Sequence, residues 1–193
     1  MRRRIGRKRK DRPARRGGGV ALYVREQLEC IELCLGMDEE RVESLWVRMK
    51  GQANMGDTVV GVCYRPPDQE EEVNEAFYRQ VEVASQSQAL VLMGDLNHPD
   101  ICWKGNTARH AQSRRFPKST DETFLTQVVE EPTRRGVLLD LVLTNKEGLV
   151  GDVKAVLGLA EMELILPTAA LMVLCCVLVA SKVLITHQCF GCC

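Results

Sequence analysis

The stretch Leu90–Ile101, LVLMGDLNHPDI, begins as an apolar run and closes on Asp95, Asn97 and His98. A short continuous apolar run that stops at glycine and polar residues predicts a strand buried on both faces. Side chains alternate along an extended segment, so Asp95 and Asn97 share one side of it. A carboxylate and an amide pointing together can hold a water or a divalent ion against a phosphate. Asp-x-Asn also occurs in ordinary turns, so its meaning depends on what the neighbouring segments bring to this strand end.

Outward from this stretch, the chain supplies two more buried strands. TVVGVCY, Thr58–Tyr64, is nearly continuous and apolar, and Arg65-Pro66-Pro67 ends it by removing two backbone donors. Downstream, VLLDLVLT, Val137–Thr144, carries Asp140 inside an apolar run. Between the first two, Asp68 and Glu71 have capping-box spacing and predict a helix to about Ser85. Val73, Ala76, Phe77, Val81 and Ala84 form its apolar face. Residues 99–118 read as a long basic and polar loop with Lys104, Arg109, Arg114, Arg115 and Lys118. Ser119 and Glu122 repeat the capping spacing and predict a short helix through about Val129. Further upstream, Val20, Leu22 and Val24 alternate with polar or small residues, as do Leu45, Val47 and Met49, so both segments predict strands. The turn formers in GQANMGD suit a hairpin from the second of these into Thr58–Tyr64. Gly17-Gly18-Gly19 lacks the Lys and Ser or Thr of a phosphate loop and reads as a turn before a strand. Strands alternate with helices but hairpins are mixed in, which predicts an α/β domain whose sheet is not purely parallel. Tyr64, Asp95, Asn97 and Asp140 then lie at or near strand ends, where reactive groups collect in α/β folds.

Formal net charge is zero, with 26 basic and 26 acidic residues, yet the distribution is uneven. Ten of the first sixteen residues are Lys or Arg. Residues 1–16 therefore predict a disordered head, either a nuclear-targeting or nucleic-acid-binding arm or a solvated tail. The apolar run at residues 164–185 has the length of a membrane-spanning helix; its two readings are a C-terminal anchor and an apolar extension or core helix. The nine cysteines are an odd number without framework spacing, and Cys189-Phe190-Gly191-Cys192 is a lone CxxC without a matching pair for zinc. The arginine-rich start runs into glycines rather than an apolar segment, unlike a secretory signal. The expected organisation is a basic head at 1–16, a domain at 17–158 and an apolar, Cys-rich tail at 159–193.

Four segments carry a resemblance that covers about residues 10–158: RGGGVALYVREQLECIELCLGMDEE, VVGVCYRPPD, LVLMGDLNHPDICWK and EEPTRRGVLLDLVLTNKEGLVGDV. They resemble the endonuclease domain of non-LTR retrotransposons of the chicken-repeat type, part of the endonuclease/exonuclease/phosphatase family. The resemblance implies a four-layer, DNase I-like α/β sandwich and a Mg2+-dependent phosphodiesterase that nicks DNA. It implies that Asp95 positions the attacking water, Asn97 holds water and phosphate, Tyr64 contacts the scissile phosphate, and Asp140 orients a catalytic histidine. Phosphoryl transfer of this kind rests on positioning and charge neutralisation.

The departures matter as much. In the family pattern, a strand carrying Asn and a strand carrying a metal-ligand Glu precede the segment matched by DRPARRGGG. Glu26, Glu29 and Glu43 fall in the wrong places to substitute for that Glu. A Ser-Asp-His triplet follows the segment matched by LVGDVKAVLG, whereas Gly158 here leads to Leu159-Ala160-Glu161-Met162. Leu96 stands where the family usually has Phe, a mild change. His98 resembles the family's own loop residue and His110 sits in the basic loop, so neither is expected to replace the lost histidine. The resulting expectation is a partial sandwich missing its first and last strands, with an apolar C-terminal helix. Its Mg2+ site at Asp95 and Asn97 is incomplete, and nicking is not expected. DNA is the implied partner, through Arg109, Arg114 and Arg115, or a membrane through 164–185; no small-molecule cofactor is expected. The implied location is nuclear or cytoplasmic, with a membrane-anchored protein as the alternative.

Overall fold

The computed structural model describes residues 5–11, 19–25, 28–36, 38–51, 56–103, 105, 107–129, 138–156, 159–166 and 169–177. Two β-sheets pack face to face, and helices cover the outer face of one of them. The first sheet holds five antiparallel strands in the order β1-β2-β13-β12-β11. These are β1 (Ile5–Lys10), β2 (Val20–Arg25), β11 (Val150–Val156), β12 (Leu159–Leu166) and β13 (Ala169–Val177). The second sheet has the order β3-β4-β5-β6-β10-β9. Its strands are β3 (Cys30–Leu33), β4 (Ser44–Met49), β5 (Thr58–Tyr64), β6 (Leu90–Asp95), β9 (Thr126–Gln127) and β10 (Asp140–Thr144). Strands β7 (Ile101–Cys102) and β8 (Thr107–Ala108) make a small separate ladder.

Period-two alternation builds both cores. Leu45, Val47, Met49, Val60, Val62, Val91, Met93 and Val142 point between the sheets and meet Val20, Leu22 and Val24. The alternate residues Trp46, Val59, Cys63, Leu90, Leu92, Leu141 and Leu143 point the other way, onto the helices. This is the mixed α/β sandwich expected from the sequence. The one parallel pair in the second sheet, β5 with β6, needs a crossover, and α1 (Glu71–Ser85) supplies it. Val73, Ala76, Phe77, Val81 and Ala84 are buried on α1, the face read from the sequence. The helix starts later than its expected cap: Glu70 is the N-cap and makes no side-chain capping bond.

Four expectations are corrected. Residues 5–10 are not disordered; they pair along their whole length with β2. Backbone pairing at a sheet edge tolerates charge, and Arg7 lies over the Tyr23 ring while Lys10 donates to the Glu39 carbonyl. The loop expected at 99–118 contains the start of α2 (Ala111–Glu122), and the helix expected through Val129 ends at Glu122. Its buried stripe is Ser113, Phe116, Pro117 and Thr120, at helical spacing but with hydroxyl side chains at two of the four positions. The tail is not a separate unit at 159–177, because β12 and β13 complete the first sheet, β13 pairing Cys175 with Leu22. The apolar helix expected at 164–185 is therefore not formed at 164–166 or 169–177, which are strands; a continuous apolar run does not by itself distinguish helix from buried strand. Among the described residues no helix is long and apolar enough to cross a membrane, so the membrane-anchor reading has no support in the structure. The rest of that run and the CxxC lie outside the described residues.

Candidate functional site

The rungs of the second sheet place the site. Val62, Met93 and Val142 form one apolar row across β5, β6 and β10. One step further along the same face, Tyr64 is in register with Asp95, and Asp95 with Asp140. Three residues predicted from separate segments thus form a single polar row that closes one end of the core between the sheets. Asp95 and Asp140 are buried, and Tyr64 is half-buried.

Asn97 follows two residues beyond Asp95, with φ of 45°, in the left-handed region. Its backbone N–H donates to Asp95 Oδ1 at 3.2 Å, and its Nδ2 donates to the Arg65 carbonyl at 2.7 Å. The strand end is held tightly against β5. Gly94 has φ of 150°, and a Cβ there would collide with the Cys63 carbonyl oxygen. The Arg65 backbone N–H continues the ladder to the Asp95 carbonyl at 2.9 Å.

Residues that sequence reasoning passed over make the support. Arg65 is buried, and its guanidinium donates to Asn74 Oδ1 on α1, to the Pro66 carbonyl and to the Asn97 carbonyl. Burial lowers its pKa, against the pull of Tyr78 and Glu71. The only signal of this in the sequence is an arginine squeezed between a buried strand and two prolines. His98 is buried and packs its ring on Phe116. Asp100 accepts from the His110 backbone N–H at 2.8 Å and from Ser113 Oγ at 2.5 Å, so it caps α2 from a distance.

The three arginines expected at nucleic acid differ. Arg109 lines a shallow surface groove with Pro99, Asp100, Ile101, Cys102 and His110. Arg114 is exposed. Arg115 is engaged within the protein, with Glu71 at 2.5 Å and with Glu75, so its charge ties α2 to α1. For the implied Mg2+, Asp95, Asp140 and Asn97 offer oxygen donors. Among the described residues, however, no group of three or more His, Cys, Asp or Glu is placed to hold a metal ion. The described residues by themselves do not make up a metal centre. Among the described residues, Cys30, Cys34, Cys63 and Cys102 form no disulfide.

The family model described as the endonuclease/exonuclease/phosphatase family matches residues 5–162. The chain belongs to that family. The match begins at the first residue of β1 and runs into β12, so β1 and β11, the two edges of the first sheet, both lie within it. Among solved structures, the chain is similar to the endonuclease domain of TRAS1, a telomere-specific non-LTR retrotransposon, with TM-score 0.51 and 17% identity. That alignment covers 77% of this chain and 66% of the TRAS1 domain, so the chain spans just under two thirds of its length. The human Nocturnin catalytic domain also matches, with TM-score 0.46, 11% identity, and 89% and 71% of the two chains covered. Direct comparison with curated protein sequences found no match.

Proposed function

We propose that this domain is a retrotransposon-type endonuclease fold that binds nucleic-acid phosphate beside the Asp95–Asp140 end of the sandwich, through Tyr64, Asn97 and the basic Arg109 and Arg114, and does not cut it. The observation that carries the reading is the single register row of Tyr64, Asp95 and Asp140. It brings Tyr64, for which the family resemblance implies phosphate contact, beside the two aspartates, while no third carboxylate, His or Cys joins them among the described residues. Cleavage of a phosphodiester needs charge neutralisation and a positioned water together, and losing members of such a set removes most of the rate. The likeness to the TRAS1 endonuclease domain supports DNA as the polymer.

Purified full-length chain, magnesium and supercoiled plasmid test the catalytic half. The expected result is no nicking above a buffer control. Nicking that disappears in Asp95→Ala would overturn it. Binding to a DNA duplex at low salt tests the other half, with affinity expected to fall steeply as salt rises. A chain that does not bind duplex or single-stranded DNA at low salt is not a phosphate-holding domain.

A further inference from the structure

We infer that Arg65 is the positioning residue of this site: its guanidinium fixes the Asp95–Asn97 turn to α1 and thereby sets the orientation of the Asn97 amide. The contact is reciprocal. Arg65 Nη1 donates to the Asn97 carbonyl at 3.3 Å, and Asn97 Nδ2 donates to the Arg65 carbonyl at 2.7 Å. Arg65 Nε donates to Asn74 Oδ1 at 2.9 Å, and the same oxygen accepts from Gln69 Nε2 at 2.8 Å. Arg65 is 4% exposed and Asn74 1%, so these bonds are made in the interior, where an unmade one is costly.

The turn needs such a clamp. Asn97 is in the left-handed region, which Asn tolerates better than most residues but which still has to be held by its surroundings. A guanidinium reaches acceptors on the turn, on Pro66 and on α1 at once because its donors are fixed in a planar fork; a lysine ammonium lacks that fork. Its Nε and Nη1 go to neutral acceptors inside the fold, which ties Arg65 to the Asn97 turn. The Nδ2 bond also decides what the Asn97 amide has left for a ligand. A carbonyl oxygen only accepts, so the NH2 faces Arg65; its second N–H is the donor left for a phosphate oxygen, and Oδ1 is left to accept from a water. The functional meaning of this arrangement rests on the phosphate-holding reading above.

Nuclear magnetic resonance of the uniformly 15N-labelled full chain tests the inference without any ligand. Solvent exchange of the Asn97 side-chain NH2 is expected to be about tenfold faster in Arg65→Lys, with α1 backbone amides still protected. In Arg65→Gly, low-millimolar guanidinium ion is expected to slow that exchange back toward the native rate. Unchanged Asn97 exchange in folded Arg65→Lys overturns the assignment. If Arg65→Lys does not fold, Asn74→Ala removes the α1 acceptor that Arg65 shares with Gln69, and Gln69→Ala is the control for the Gln69 bond; faster Asn97 exchange in Asn74→Ala but not in Gln69→Ala supports the clamp, and native exchange in Asn74→Ala refutes it. Duplex binding forms a separate arm: adding Asn97→Ala to Arg65→Lys is expected to cost no further affinity, and fully additive losses count against the coupling. Absence of DNA binding by the native chain would end the phosphate-holding reading while leaving the exchange result to stand or fall alone.

Discussion

His98 lies against Phe116, with ring centroids 5.5 Å apart and planes 17° apart. The imidazole is buried, and its Nε2 has no hydrogen-bond partner among the described residues. Burial pushes its pKa down to about 4, and the Arg65 charge adds to this against a weaker pull from Asp100. The unfolded chain, titrating near pH 6.5, therefore takes up the proton first as pH falls. Stability from the neutral ring is complete above about pH 6.5 and is lost progressively toward pH 4, by on the order of 3 kcal/mol in total. Urea midpoints between about pH 7 and pH 5 should fall for the native chain and stay nearly level for His98→Leu. Equal slopes would show that the ring is not the titrating group.

Gly94 and Cys63 are in register across the parallel pair of β5 and β6. Gly94 combines a φ of 150° with a backbone carbonyl where its Cβ would be. Neither strand can withdraw without breaking the ladder that carries Asp95. Gly94→Ala is expected to cost about 3 kcal/mol or more, lowering Tm by about 6 °C or more. A change of a degree or two would mean that the strand end is looser than its register implies.

Asp100 does for α2 what its own N-cap residue does not. His110 occupies the N-cap and makes no side-chain bond there. Burial alone would raise the Asp100 pKa, but the bonds from Ser113 and the His110 backbone bring it below its ordinary value. Asp100→Ala is expected to cost about 1–2 kcal/mol. Hydrogen exchange should rise in the first turn of α2 and stay unchanged in β6. A uniform rise would point to a global effect instead of a lost cap.

The strands that build the site were legible because each carries its own signal. Thr58–Tyr64, Leu90–Asp95 and the Asp140 segment are apolar runs that end at prolines, glycine or polar residues, and all three formed. Their common register was not legible, since nothing local to Asp95 says that Asp140 lies across from it. Helix α2 was hidden because its buried stripe is Ser113, Phe116, Pro117 and Thr120, with a single large apolar side chain. The run at 169–177 is ambiguous in the sequence for the opposite reason: it is so uniformly apolar that period carries no information, and only pairing with β2 and β12 makes it a strand. The Arg65 clamp depends on bonds to Asn74 and Asn97, at sequence separations of 9 and 32 residues, and no spacing rule connects them.

Phe124 ends α2 in a conformation that suits glycine. The Leu125 N–H donates to the Thr120 carbonyl at 2.8 Å and the Phe124 N–H to the Asp121 carbonyl at 3.1 Å, the bonding pattern of a Schellman motif. Phe124 sits at its left-handed position with φ of 56°, and its side chain is 84% exposed. The ring thus contributes little burial to offset the backbone strain, which is about 1 kcal/mol for a residue with a Cβ. Phe124→Gly removes the strain but adds freedom to the unfolded chain, so a net gain of about 0.5 kcal/mol is expected, read as a Tm rise of about 1–2 °C. Phe124→Ala keeps the strain and removes the ring, and its Tm should stay within a degree of native. An alanine variant as stable as the glycine one would assign the cost to the exposed ring; a glycine variant below native would show that the ring packs against something that the fold needs.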